Sequence, residues 1–270
     1  PSMSQRSPLT NISIRGLITW LSYSITGLLA VSLSAPHERV SPLYLPAGLA
    51  LAFLMGWGSG MLLPIGMGAA TVIALIALPD LASIGWQSVM SMALIGGAGA
   101  SLQAWVAWRL THGPHQQALT LEKPLEIGRF LLLAGPVACL VHATVSIGAR
   151  TALGLMPTGL APQAFLGWWT GDTLGVLVGT PMMLTLVGQP ASLWRARRQP
   201  VGIPLLIATV LLALGVREVQ SWGQEREAAV FDQDVQATAN AVNLRTNGYR
   251  DALAALSGVF HASNEVTREE

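Results

Sequence analysis

The sequence predicts an all-α, polytopic membrane helical bundle of about seven crossings, continuing into an extracytoplasmic stalk helix. Three observations carry this. Of the 270 residues, 51% are hydrophobic and only 11% are charged, where soluble domains run near a quarter charged. Apolar runs follow one another through the first four-fifths of the chain, at lengths suited to helices crossing a bilayer. None alternates with the period of a barrel strand. After about Arg217 the chain turns polar, free of proline and helical in pattern.

In order, the apolar runs are Leu17–Leu33, Leu43–Trp57, Met61–Leu78, Ile84–Trp108, Phe130–Ile147, Phe165–Val187 and Val201–Val216. The second and seventh are short for a full crossing, where about 20 residues are needed. The first is too long for a removed signal peptide and lacks a small-residue cleavage site. Pro1 and Ser2 precede the first methionine and read as a remnant of tag cleavage. Residues 1–11 are therefore taken as remnant and cytoplasmic N-terminus, 12–220 as the membrane bundle, and 221–270 as a periplasmic stalk with the start of a further domain. With the N-terminus inside, Arg6, Arg15, Arg109, Lys123, Arg129, Arg195, Arg197 and Arg198 fall on the cytoplasmic side. Only Arg39 and Arg150 fall outside before the seventh exit, a positive-inside bias.

Small residues recur at four-residue spacing. Gly48, Ala52, Gly56 and Gly60 follow Pro46 in the second run. Ala93, Gly97 and Ser101 lie in the fourth, and Gly167, Gly171, Gly175 and Gly179 in the sixth. Such stripes let helix backbones approach closely in lipid. Pro46 starts or kinks its helix.

Polar residues inside the runs are few. Asp172 lies about seven residues from the outer end of the sixth run, roughly 10 Å deep at 1.5 Å per residue. An intramembrane carboxylate points to function, although tying two helices together explains it equally. Arg150, at the outer end of the fifth run, is within snorkelling reach, and either pairs with Asp172 or stands alone at the headgroup level. His142 lies deeper and shares the pocket or serves packing. Gln103 is the polar residue of the fourth run. Trp168 and Trp169 sit just outside Asp172, as interface anchors or as an aromatic lid, with Tyr44 and Trp86 near the same face. Candidate ligand-binding residues are thus Asp172, Arg150, His142, Trp168, Trp169 and Tyr44.

The remaining chemistry is mostly exclusion. Cys139 is the single cysteine, so neither an intramolecular disulfide nor a cysteine zinc site arises; it reads as a small buried hydrophobe. The near-neutral balance, +1 at pH 7, gives no reason to expect nucleic acid. A retinal Schiff base needs a membrane lysine, and the only lysine, Lys123, is in a loop. Haem with two histidines lacks a second intramembrane ligand, since His37, His112, His115 and His261 lie in loops or the tail. Neither a GxSxG nor an HExxH motif occurs. No catalytic residue, metal or cofactor is expected.

In the last third, Val235, Val242, Tyr249 and Leu256 are spaced by seven, interleaved with Ala239, Thr246, Leu253 and Phe260. This is a 3-4 seam. It pairs two chains along a stalk, with Val235, Val242, Tyr249, Leu253 and Leu256 at the contact, or packs one amphipathic helix on its own domain. The chain stops at Glu270 inside a charged helical pattern, which suggests a fragment.

Two parts resemble known families. Residues 12–220 resemble the first type of membrane-associated sensor domain of bacterial signalling proteins, through Leu45-Pro46-Ala47-Gly48-Leu49-Ala50 and through Trp168-Trp169-Thr170-Gly171-Asp172-Thr173-Leu174-Gly175 with Pro181. Members have about eight crossings, so the resemblance implies an eighth after an external domain. Residues 243–270 resemble the opening helix of a CHASE extracellular sensing domain, through Tyr249-Arg250-Asp251-Ala252-Leu253, Leu256-Ser257-Gly258-Val259-Phe260 and Ala262-Ser263. Together they imply a dimeric input module in the bacterial inner membrane. Its cytoplasmic output would be a histidine kinase, or a GGDEF diguanylate cyclase with or without an EAL phosphodiesterase. No motif of these outputs occurs in the 270 residues. Two alternatives stay open. One is a transporter or membrane enzyme using Asp172, His142 and Arg150, although no inverted repeat of broken helices is evident. The other is a scaffold that recruits a membrane-protein partner through its glycine faces, without a small ligand.

Overall fold

A computed structural model describes residues 8–32, 41–112 and 120–262. Pro1, Ser2, Arg6, Leu33, His37, Arg39, His115 and the segment from Ser263 lie outside the described residues. The described chain is helical and contains no strand, an all-α polytopic membrane bundle. The helices are α1 (Pro8–Ser32), α2 (Leu45–Trp57), α3 (Leu62–Ala77), α4 (Leu81–Thr111), α5 (Pro124–Arg129), α6 (Ala138–Ala152), α7 (Ala161–Val187), α8 (Ala191–Ala196) and α9 (Ile203–Ala262). Phe130–Val137 is a π-helical segment joining α5 to α6. Contacts divide the chain into Pro1–Arg217 and Glu218–Glu270.

Each apolar run falls mainly on helix, the second from Leu45 onward. Five stretches among the described residues are long and apolar enough to cross a membrane: Ser13–Ser32, Ser59–Thr111, Pro124–Ala152, Thr158–Val187 and Arg198–Gly215. Ser59–Thr111 holds both α3 and α4. Pro79 and Asp80 turn the chain between them, and Gly85 (φ 77°) breaks α4 just after its first turn, in a region that disfavours side chains.

α2 has 13 residues, about 20 Å of helix, against a hydrocarbon core of about 30 Å. Its place is the centre of the first unit. Every residue from Pro46 to Leu54 is buried, because a helix apolar on all sides needs neighbours on all sides. Pro46 stands in the first turn, where its missing N–H leaves no bond unmade. Leu51, Ala52, Phe53 and Leu54 are wholly enclosed. Lipid takes the other role: Leu63, Leu94, Leu186 and Leu211 stand exposed on the outer helix faces.

The glycine stripes of α2 and α7 meet each other. A Cβ on Gly48 would strike the backbone of Gly175 and Thr180, one on Gly175 the Tyr44 carbonyl, and one on Gly171 the Ser41 carbonyl. One on Gly179 would lie 3.2 Å from the Leu45 carbonyl. Two hydrogen bonds cross the seam: the Thr180 hydroxyl donates to the Gly48 carbonyl (3.1 Å), and the Tyr44 N–H to the Gly171 carbonyl (2.9 Å). Pro181 follows Thr180 without ending α7. Gly60 is not part of the stripe. It lies past the end of α2 and a Cβ there would meet nothing. In the second seam a Cβ on Gly97 would lie 2.5 Å from the Gly66 carbonyl. There the Ser101 hydroxyl donates to the Leu62 carbonyl (2.9 Å).

At the end of this unit that carries Arg195, Arg197 and Arg198, α8 buries Trp194 against Ala52 and Leu184. Arg197 donates to the Thr120 carbonyl, and its guanidinium lies 5.1 Å from the Trp194 ring centre. Arg198 donates to the Thr185 carbonyl (2.9 Å).

In the second unit the helix presents Val235, Val242, Tyr249, Leu253, Leu256 and Phe260, all exposed. Among the described residues nothing covers the 3-4 seam.

Candidate functional site

The site is built from the helix ends that follow and precede three connections: α1 to α2, α3 to α4, and α6 to α7. There the described residues form a partly open cavity of about 190 Å³. An engineered cavity of about 150 Å³ already accepts benzene. One wall is apolar and comes from α3 and α4, with Val72, Ile73, Ile76, Ile84 and Met92. The opposite wall is polar and comes from α6, α7 and the approach to α2, with His142, Arg150, Trp168, Asp172, Ser41 and Tyr44. Asp80, Leu155 and Met156 lie on the lining where the connections run.

At the polar wall, the Nδ1–H of His142 donates to Asp172 Oδ2 at 2.9 Å. Both residues are buried, at 4% and 3% exposure, so this bond forms away from bulk water. Asp172 Oδ1 accepts no hydrogen bond among the described residues and is not among the sealed polar atoms. One carboxylate oxygen is thus held by the protein while the other keeps access to the cavity. An ionised carboxylate only accepts, so this edge requires a donor.

Arg150 does not pair with Asp172. Its guanidinium lies 4.7 Å from the Trp168 ring centre, and Trp168 in turn lies against the His142 ring at 5.4 Å. The Asp172–Arg150 ion pair is replaced by Asp172–His142, because His142 comes off α6 two turns deeper, level with the carboxylate. Arg150 still lines the cavity.

The two neighbouring tryptophans separate. Trp168 lines the cavity, whereas Trp169 packs away from it, its indole N–H donating to the Pro136 carbonyl at 2.7 Å. The shared aromatic lid is therefore corrected to Trp168 alone: consecutive helix residues point about 100° apart, and the π-helical segment offers Trp169 a carbonyl. Trp86 is also outside the lining and stands exposed. Tyr44 packs edge-on against the buried Tyr23, with ring centres 6.3 Å apart. Gln103 is buried on α4 away from this cavity. Asp80 and Met156 went unremarked in the sequence. The signal for Asp80 was its place in the Leu78-Pro79-Asp80 turn, on the same cavity lining as Arg150.

No group of three metal-ligating side chains occurs among the described residues. A single His–Asp pair does not make a metal centre.

Residues 15–218 match the family model of MASE1. The chain belongs to the MASE1 family. MASE1 is a membrane sensor domain of signalling proteins, and the match spans α2, α7, the glycine seam between them and every residue named at the cavity. No curated protein and no solved structure matches the chain. Within the matched residues, the buried His142–Asp172 pair lies on the wall of this cavity.

Proposed function

We propose that this MASE1 domain is a ligand-binding input module of a bacterial signalling protein, taking a small molecule into the cavity beside Asp172. The observation that carries the reading is the half-held carboxylate: Asp172 is buried in the membrane bundle, bonded by His142 on one oxygen, and open to a partly apolar cavity on the other. A carboxylate needed only to tie α6 to α7 would close both oxygens. Pockets that are mostly apolar with a few converging polar groups are the usual form of small-molecule sites.

The positive-inside bias supports a cytoplasmic N-terminus, in the inner membrane, which turns the cavity outward. The CHASE-like pattern then lies on the periplasmic side. The sensor reading implies relay to a cytoplasmic output, a diguanylate cyclase with or without a phosphodiesterase or a histidine kinase. The exposed seam of Val235, Val242, Tyr249, Leu253 and Leu256 supports a homodimer paired along the stalk. A shift at one end of such a helix biases packing at the other. The glycine faces of α2 and α7 are filled by each other, which favours the ligand reading over recruitment of a partner protein through them.

A cryo-EM map of the detergent-solubilised full-length protein tests the reading. Extra density enclosed by Asp172, His142 and Trp168, with an output altered by Asp172→Asn, supports it. A collapsed, dry cavity together with an output indifferent to Asp172→Asn rejects it.

A further inference from the structure

The open oxygen of Asp172 and the apolar wall of its cavity narrow the ligand to a chemical class, on the proposal above that the cavity holds one. Asp172 Oδ2 and His142 Nδ1 lie 2.9 Å apart and share a proton. With that proton on Nδ1, Oδ1 is a carboxylate oxygen. With it on Oδ2, Oδ1 is the carbonyl oxygen of the acid. In both cases Oδ1 presents lone pairs and no hydrogen. It accepts no hydrogen bond among the described residues and is not a sealed atom. What it lacks is a donor, whatever the charge of the pair. The same cavity is lined by Val72, Ile73, Ile76 and Met92, a surface stabilised by apolar cover. Water supplies the donor but leaves that wall wet. A hydrocarbon covers the wall but strands a buried acceptor.

We infer that the cavity takes a small, mostly apolar molecule carrying an O–H or N–H group. That group donates to Asp172 Oδ1, and the apolar body, about the size of a substituted benzene, lies against α3 and α4. A molecule of the same shape that only accepts hydrogen bonds sets lone pair against lone pair at Oδ1 and is rejected.

Three probes of one skeleton test this on the full-length protein in detergent, by equilibrium dialysis with equal detergent on both sides. They are 1-phenylethanol, acetophenone and cumene, which carry a hydroxyl, a ketone oxygen and a methyl group at the same position. The alcohol is expected to bind about ten-fold tighter or more than either of the others, because each of those leaves Oδ1 unpaired. Asp172→Leu is expected to bring alcohol and ketone within about two-fold of each other while keeping cumene bound, which also shows that the variant is folded. Should the variant not fold, the ranking on the unaltered protein decides alone. Equal binding of alcohol and ketone, a tighter ketone, or a preference that survives Asp172→Leu overturns the donor inference and leaves the cavity as a ligand site. Failure of all three to bind at millimolar concentration overturns the inference. Together with the dry cavity of the preceding test it overturns the ligand-site reading as well, whereas extra density in the cavity leaves that reading standing.

Discussion

His142 and Asp172, thirty residues apart in the chain, are joined at 2.9 Å between α6 and α7. Among the described residues this is the one hydrogen bond that either side chain makes, so its removal has a defined cost. Asp172→Asn keeps an acceptor for the Nδ1–H and should lower stability by about 1 kcal/mol. Asp172→Ala strands that N–H in the interior and should cost more, about 1–3 kcal/mol. In a double-mutant cycle with His142→Ala, the coupling energy should be about 0.5–3 kcal/mol. Thermal melting in detergent reads all four proteins; strict additivity would show that the two residues do not interact.

The α2–α7 seam makes a sharper claim about glycine. Gly175→Ala drives a Cβ into the Tyr44 carbonyl, and backbone cannot swing aside as a side chain does. The cost should be about 1–3 kcal/mol, and Gly175→Leu should be worse. Gly148→Ala is the control: in α6 a Cβ there meets nothing, so helix propensity makes it neutral or stabilising by up to about 1 kcal/mol. Equal melting temperatures for the two alanine variants would contradict the seam.

Trp168 and Trp169 should fail differently. Trp169→Phe loses the hydrogen bond to Pro136 in the π-helical segment and should cost about 1 kcal/mol of stability. Trp168→Phe removes part of the ring beneath Arg150 and should change stability less while weakening probe binding in the cavity. Melting curves and probe titration on both variants check the assignment; reversal of the two effects would refute it.

Tyr249→Asp places a charge in the exposed 3-4 seam of the second unit. Stalk self-association should weaken about ten-fold or more, as buried charge at such a position opposes pairing. Analytical ultracentrifugation of the solubilised protein measures this. An undiminished dimer would assign dimerisation elsewhere.

What the sequence determined by itself is what depends on neighbours in the chain. Hydropathy over windows of about 20 residues located the long apolar helices of the bundle but not the short α5 and α8, and four-residue spacing marked Gly48, Gly171, Gly175 and Gly179 as contact positions. Both follow from the helix repeat, which is a local property. It also singled out Asp172, because a carboxylate within an apolar run is conspicuous wherever the run packs. The tertiary structure alone decided the pairings. It seated the shortest run, α2, at the centre, since burial depends on which neighbours surround a helix and not on its length. It gave Asp172 to His142 in place of Arg150, a choice of depth and rotation between α6 and α7 that no single helix carries. It turned Trp168 to the cavity and Trp169 to Pro136, and it left Gly60 beyond the seam because α2 ends at Trp57. The cavity itself belongs to five helices at once. No stretch of sequence contains it, because an empty volume is a property of how surfaces fail to meet.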